Sequence, residues 1–210
     1  MFEQNREAAI AGASVSTFIA ESGEYKGTFE NVAIYTANSG AEALHFDFVS
    51  EGGERASFQI YYKNKKGETI DMGQNKIIAL NATMKVKAAT TQEERSVCIF
   101  GNEVSRTCLV DMEGQRVGVV FQRELSTGQD GKTYDNVRYV TSFNCDTGRT
   151  ADEIYGDKPA KRKDKVVAGL KEVIDKTTAP GGFTESEMRP PEAQISGGSG
   201  YGGFDDDVPF

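Results

Sequence analysis

The chain has 210 residues, a formal net charge of −8, 27% charged residues and 38% hydrophobic residues. These values are typical of a soluble protein with a modest core, built as one full domain with extensions or as two small domains. No apolar run reaches the length of a membrane span, and the N-terminus lacks a basic region followed by an apolar stretch. We therefore expect a cytoplasmic protein with no membrane partner.

Strand patterns dominate the first third of the chain. Residues 3–11 are compatible with one or two helical turns, and strand signals dominate beyond them. In the second strand this alternation places Val32 and Ile34 on one face and Tyr35 on the other. A turn at residues 51–54 joins two strands into a hairpin. The predicted strands here are 15–19, 25–36, 44–48 and 56–62.

A helix pattern interrupts the strands at residues 73–88. Ile77, Leu80 and Met84 recur there at helical spacing, and Asn75 is a candidate N-cap. Strand patterns return at 97–100, 104–110, 116–124 and 134–144. Three strands, a helix and then more strands is the element order of a five-stranded OB-fold-like barrel with a helix between strands 3 and 4. An unrelated small β-barrel or sandwich fits this mainly-β pattern nearly as well.

The composition changes after Arg149. A basic run at 158–165 precedes an amphipathic helix pattern over 162–176. The run could contact a nucleic-acid backbone or the acidic tail, or simply be the solvated start of a helix. Pro, Gly, Ser and Glu then dominate up to residue 203, which predicts a disordered linker. The expected organisation is an OB-like domain (1–150), a basic segment with a short helix (151–176), the linker (177–203) and a terminal acidic tip (204–210).

The last residues combine three consecutive carboxylates with a short apolar end. Physically, this is either an acidic solubility tail or a segment that a partner captures, with Phe210 in an apolar pocket and its carboxylate on a basic residue. The tip residues are Asp205, Asp206, Asp207, Val208, Pro209 and Phe210.

This ending, behind a Gly-rich linker, resembles the tip of bacterial-type single-stranded DNA-binding proteins, which typically read Asp-Asp-Asp-Ile-Pro-Phe. Only Val208 departs from that pattern. The remainder of the chain more loosely resembles the divergent single-stranded DNA-binding proteins of bacteriophages. The resemblance implies an OB-fold domain that coats single strands, and a tip that recruits replication, recombination and repair proteins. It also implies that the protein is phage-encoded and works in the host cytoplasm.

The charge distribution limits where DNA could bind. Residues 1–150 contain 16 Lys and Arg but 20 Asp and Glu, and residues 151–210 contain 8 and 12. Since even the main domain is mildly acidic, a DNA site must be a local basic groove and not a globally basic surface.

Single-strand binding needs aromatic faces on which bases stack and cations that follow the phosphates. Tyr35 and Tyr61 point away from the apolar faces of their strands, and Lys63 shares the face of Tyr61. For Phe121 and Tyr139, core packing is an equally good interpretation. The predicted DNA-binding residues are Tyr35, Tyr61, Lys63, Lys65, Lys66, Phe121, Arg123, Arg138 and Tyr139.

Signals for an enzyme are sparse. The only histidine, His45, falls on the polar face of a strand, and no Walker loop, HExxH or GxSxG motif is present. The three cysteines are odd in number and lack CxxC spacing, which favours reduced thiols over a disulfide framework or a zinc site. The sequence thus predicts a non-enzymatic, cofactor-free protein that binds and protects single-stranded DNA during phage replication, recombination or repair. Two alternatives stay open: an adaptor that captures host repair enzymes without binding DNA, and a metal-dependent DNA-processing enzyme.

Overall fold

The computed structural model describes residues 18–89, 91–99, 101–128 and 131–177. The predicted N-terminal helix, most of the strand predicted at 15–19, nearly all of the linker and the whole acidic tip lie outside the described residues.

The described chain is mainly β, as the sequence predicts, but it contains eight strands instead of five. The helices are α1 (Asp71–Met84), α2 (Ala151–Tyr155) and α3 (Arg162–Ala168), and a 3-10 turn spans Val110–Met112. The strands are β1 (Gly23–Thr36), β2 (Glu42–Ser50), β3 (Arg55–Lys63), β4 (Gln92–Ile99), β5 (Asn102–Leu109), β6 (Arg116–Thr127), β7 (Thr133–Phe143) and β8 (Ile174–Asp175).

The long strand β1 organises the sheet because it pairs in two directions. The path β3-β2-β1-β5-β4 is antiparallel, and β6 adds to the first half of β1, where Gly23 pairs with Phe121 and Thr28 with Arg116. Strand β7 pairs with β6, and the short β8 adds to β6 in parallel. No ladder joins β3 to β7 among the described residues, so the sheet is not closed into a barrel.

A cluster of aromatic rings fills the core between the inward faces of β1, β2, β3, β6 and β7. The ring of Phe58 stacks on Phe46 at 4.9 Å and on Tyr139 at 5.1 Å, both nearly parallel. Phe29 and Phe121 meet the same rings at an angle, as aromatic pairs in cores commonly do. The alternation of apolar residues in the first three strands therefore identifies the face that is buried.

Helix α1 covers the end of this core and lies very close to strand β3. A Cβ added at Gly73 would stand 1.7 Å from the carbonyl oxygen of Tyr61, so only glycine permits this approach. The predicted cap at Asn75 is wrong, since Asn75 lies inside the helix and the N-cap position is Ile70. The helix also ends earlier than predicted, because Lys85 adopts a left-handed conformation with φ of 62°.

The helix in the C-terminal segment is shorter than the predicted helix at 162–176. Helix α3 stops at Ala168, with Gly169 as its C-cap, and the chain then runs extended into β8. The side chain of Gln122 holds this extended part: its Nε2 donates to the carbonyl of Lys171 at 2.9 Å, and its Oε1 accepts from the amide of Lys171 at 3.0 Å. Residues up to 176 are thereby attached to the β-sheet.

Candidate nucleic-acid interface

Two tyrosines lie side by side on the sheet face opposite the aromatic core, which we call the outer face. Tyr35 pairs with Ala43, and Ala43 pairs with Tyr61, so the three residues form one row across β1, β2 and β3. Ala43 is fully buried while both tyrosines are half-buried. The prediction that Val32 and Tyr35 point to opposite faces of β1 is confirmed. Val32 is in the core, and Tyr35 packs on the other face against a small cluster around Ala33 and Cys108.

A chain of hydrogen bonds anchors the hydroxyl of Tyr61 to the middle of the outer face. Tyr61 donates to Gln59 Oε1 at 3.3 Å, and the Gln59 amide donates to His45 Nδ1 at 3.5 Å. Since Nδ1 accepts, Nε2 carries the proton and donates to Asp47 at 3.1 Å. Asp47 also accepts from Ser57 at 2.7 Å. These bonds fix the side chains beside Tyr61 in place.

Burial and hydrogen bonding have opposite effects on the Asp47 carboxylate. Burial alone raises its pKa, but the bonds from His45, Ser57 and Asn31 outweigh burial and leave the pKa below its usual value. The charged form is therefore the one that the network stabilises. His45 is buried and bonded to this carboxylate, an arrangement that accounts for the lone histidine structurally.

Two lysines stand at the tyrosine end of the outer face, in the turn between β3 and α1. Asn64 shapes this turn, because its Oδ1 accepts from the amides of Lys66 and Glu68 while its backbone closes the loop through Gly67. Lys65 and Lys66 are both exposed, and among the described residues neither side chain forms an ion pair. A Cβ on Gly40 would lie 3.7 Å from the Lys65 carbonyl, so the β1–β2 loop borders the same spot.

Lys63, in contrast, is neutralised. Its ammonium lies 2.9 Å from Glu42 Oε2, which also accepts from the hydroxyl of Tyr62 at 3.0 Å. The hydrogen bond from Lys63 is the main reason why the pKa of Glu42 is lowered. Burial, together with the bond to Glu42, raises the pKa of Tyr62 to about 12. Lys63 therefore contributes less positive charge to the face than its position suggests.

The prediction that Phe121 and Tyr139 stack on bases is wrong. Phe121 is 0% exposed and Tyr139 is 5% exposed, and both belong to the aromatic core. Neither ring has a face that a base could reach, and the burial raises the pKa of the Tyr139 hydroxyl. The core interpretation, which was open for both residues, is the one that the structure supports.

Arg123 and Arg138 do not converge on the tyrosines. They lie on opposite faces of the β6–β7 hairpin, because Arg123 pairs with Val137 and Gln122 pairs with Arg138. Arg123 holds Asp135 through two hydrogen bonds of 2.9 and 2.6 Å and lowers the pKa of that carboxylate. Arg138 donates to Glu124 at 2.6 Å, and Lys176 donates to the other oxygen at 3.0 Å. Both arginines are thus occupied by carboxylates.

Sequence reasoning missed two arginines on the outer face. Arg95 and Arg106 face each other across β4 and β5, on the side that carries Cys108 and Ala33. Arg95 fell outside the predicted strand at 97–100, so its direction was not considered. In a hairpin that turns around Gly101, Arg95 and Arg106 lie at nearly equal distances from the turn and are therefore expected to pair. This spacing was the signal that could have identified them.

No protein-family model matches the sequence, and a search of curated proteins likewise gives no match. Across the described ranges, no three His, Cys, Asp or Glu side chains converge in a way that could hold a metal ion. Within the same ranges, no helix is long and apolar enough to cross a membrane.

Proposed function

We propose that the protein binds single-stranded DNA without sequence preference through the outer face of β1, β2 and β3. The observation that carries this proposal is the row of Tyr35, Ala43 and Tyr61, together with the exposed Lys65 and Lys66 in the turn that follows β3. Half-exposed rings offer stacking surfaces to any base, and unpaired lysines attract the phosphates. With Phe121 and Tyr139 in the core, Tyr61 becomes the principal stacking residue.

An OB-like arrangement of strands supports this assignment. When β4 and β5 are set aside, neighbouring strands in the sheet follow the order β3-β2-β1-β6-β7, and α1 comes after β3 in the chain. This order resembles that of neighbouring strands in an OB-fold, except that no ladder joins β3 to β7 among the described residues. The hairpin β4–β5 is then an insertion. OB-folds are partly open barrels that bind oligonucleotides on the face of their second and third strands, beside the loop that joins the first two. Tyr61, on β3, and the turn of Lys65 occupy that region.

The second part of the proposal concerns the acidic tip, which lies outside the described residues. Its resemblance to the bacterial-type tip supports recruitment of replication, recombination and repair proteins by Asp205–Asp207 and Phe210. The tip carboxylates would also compete with DNA for the lysine turn. Strand binding would then release the tip for its partners in the infected host.

A gel-shift assay with a thymidine oligonucleotide and a duplex of equal length tests strand binding. We expect retardation of the single strand at low salt, and weaker or no retardation of the duplex. Deleting residues 201–210 should tighten binding if the tip competes, and unchanged or weaker affinity would contradict the competition.

The same assay distinguishes strand binding from the alternative function of an adaptor that does not bind DNA. One observation favours the adaptor: Lys63, Arg123 and Arg138 are all paired with carboxylates, which leaves less positive charge for phosphates. If the oligonucleotide is not retarded at low salt while the full chain still retains repair enzymes through its tip, the adaptor is the correct function.

A further inference from the structure

The outer face extends beyond the tyrosines onto the β4–β5 hairpin. Ala33 of β1 pairs with Cys108 of β5, and in an antiparallel pair the position two residues later on one strand faces the position two residues earlier on the other. Extending this register by two positions brings Tyr35, which packs against the cluster of Ala33 and Cys108, level with Arg106, and the direct partner of Arg106 on β4 is Arg95. The result is one row across five strands, which we call the tyrosine–arginine row: Tyr61, Ala43, Tyr35, Arg106 and Arg95.

Two like charges directly opposite each other in a ladder are unfavourable, so each guanidinium needs an acceptor. Arg95 has one: it donates to the carboxylate of Glu113, and the more exposed Glu93 lies at 4.0 Å. Glu113 is itself fixed, because it accepts from the backbone amide of Val32 at 3.2 Å. Arg95 is therefore held in place and largely balanced in charge.

Arg106 is the unbalanced cation of the pair. Its Nη1 donates to the neighbouring carbonyl of Ser105 at 2.9 Å, and no carboxylate among the described residues forms an ion pair with it. Within the described ranges, the buried Nε atoms of Arg106 and Arg95 have no hydrogen-bond partner, although Glu93 Oε2 lies 4.0 Å from that of Arg95. Arg106 stands directly opposite Arg95 and has no balancing carboxylate among the described residues, so it is the cation of this pair that an added anion would balance.

We propose that Arg106, with Arg95 beside it, binds a phosphodiester group of a single strand that runs along the tyrosine–arginine row. A guanidinium offers a planar fork of donors that matches two phosphate oxygens, and an anion there relieves the repulsion between the two arginines. This inference rests on the proposed strand binding and extends it from the β1–β3 face to the inserted hairpin. No bond is made or broken; the site only holds the backbone.

The test uses the full chain and a fluorescent thymidine oligonucleotide, with anisotropy measured over a salt series. Arg106→Gln removes the charge, and Arg106→Lys keeps the charge but removes the fork. Arg149→Gln is the matched control, because it removes an equally charged residue that is paired with Asp157 and lies outside the basic run at 158–165. Arg106 is the better target than Arg95, whose loss would leave the Glu113 carboxylate without its cation.

We expect Arg106→Gln to weaken binding about tenfold at low salt. The slope of log affinity against log salt should become shallower by about 0.7, the value for one lost single-strand phosphate contact. Arg106→Lys should keep the slope yet bind more weakly than wild type, and Arg149→Gln should change neither quantity.

Equal slope changes in Arg106→Gln and Arg149→Gln would overturn the inference alone, because the effect would then be one of net charge. Wild-type affinity in Arg106→Lys would overturn the fork geometry. If the wild-type protein does not bind the oligonucleotide at all, the inference and the proposed function both fail. Arg106 is only half-buried, and a melting curve for each variant confirms that the fold is intact before affinities are compared.

Discussion

Replacing Tyr61 by alanine gives the sharpest test of where a strand lies on this protein. The ring is half-buried over Ala43, and its hydroxyl makes one hydrogen bond of 3.3 Å to Gln59. If the exposed part of the ring stacks a base, its removal should cost about 1–3 kcal/mol of binding free energy. That corresponds to a loss of affinity of roughly 5- to 150-fold.

Two further variants separate the stacking ring from its other contacts. Tyr61→Phe removes only the hydroxyl and its single bond, so strand affinity should stay within about twofold of wild type, since the aromatic face is kept. Tyr155→Ala removes a tyrosine that is 75% exposed at the end of α2, away from the outer-face row, and should leave affinity unchanged. The readout is anisotropy of a labelled thymidine oligonucleotide at fixed salt, with urea unfolding to record the stability of each variant.

The reasoning about Tyr61 is refuted if Tyr61→Ala binds within about twofold of wild type, because that loss is below the range of about 1–3 kcal/mol for a stacked base. It is also refuted if Tyr155→Ala loses as much affinity as Tyr61→Ala. In either case the ring of Tyr61 serves packing over Ala43, and the outer face of β1–β3 is not the surface that holds bases.

Three other predictions concern the lysine turn, the helix contact and the C-terminal segment. The double variant Lys65→Gln/Lys66→Gln should flatten the salt dependence of strand binding by up to about 1.4, and an unchanged slope would remove the turn from the interface. Gly73→Ala should destabilise the protein by about 1–3 kcal/mol in urea unfolding, because its Cβ meets backbone, whereas Asn75→Ala on the exposed side of the same helix should be neutral or stabilising. The pKa of Glu153 is lowered to about 2, because hydrogen bonds from the amides of Lys161, Thr150 and Arg162 outweigh the effect of burial. The carboxylate therefore stabilises the folded state fully above its ordinary pKa of 4.5, and this contribution is lost as the pH falls through 2. Glu153→Gln should therefore cost roughly 1.5–3 kcal/mol at pH 6 and much less near pH 2, and an equal cost at both pH values would contradict the assignment.

Alternation along strands predicts which residues share a face, and it worked in β2 even though Ala43 and His45 on its other face are buried as well. Leu44, Phe46 and Phe48 point inward from β2 as their spacing indicates. Strand β6 is different, because every residue from Val117 to Gln122 is buried. The alternation of side chains along this strand therefore does not distinguish core residues from surface residues. The continuous apolar run there was a sign of a strand covered on both sides, and reading Phe121 as exposed ignored it.

Pairing between charged residues was beyond the reach of the sequence for a different reason. The contact of Lys63 with Glu42 depends on the register of the β2–β3 hairpin, which shifts at a bulge next to Glu42. The contact of Arg123 with Asp135 depends equally on the β6–β7 register. A one-residue slip would have moved each side chain to the other face, so the composition alone could not tell which cations stay unpaired.

The double pairing of β1 also determines the order in which the chain can fold. Strands β1, β2 and β3 are neighbours in sequence, so the second half of β1 can find its partners soon after synthesis. The first half pairs with β6, which lies roughly 90 positions further along the chain, and long loops of this kind close slowly. Until β6 emerges from the ribosome, the segment around Tyr25 to Thr28 is an open strand edge. Nascent chains are therefore most exposed to aggregation during the synthesis of α1, β4 and β5, and deletions within that stretch should shorten this vulnerable period.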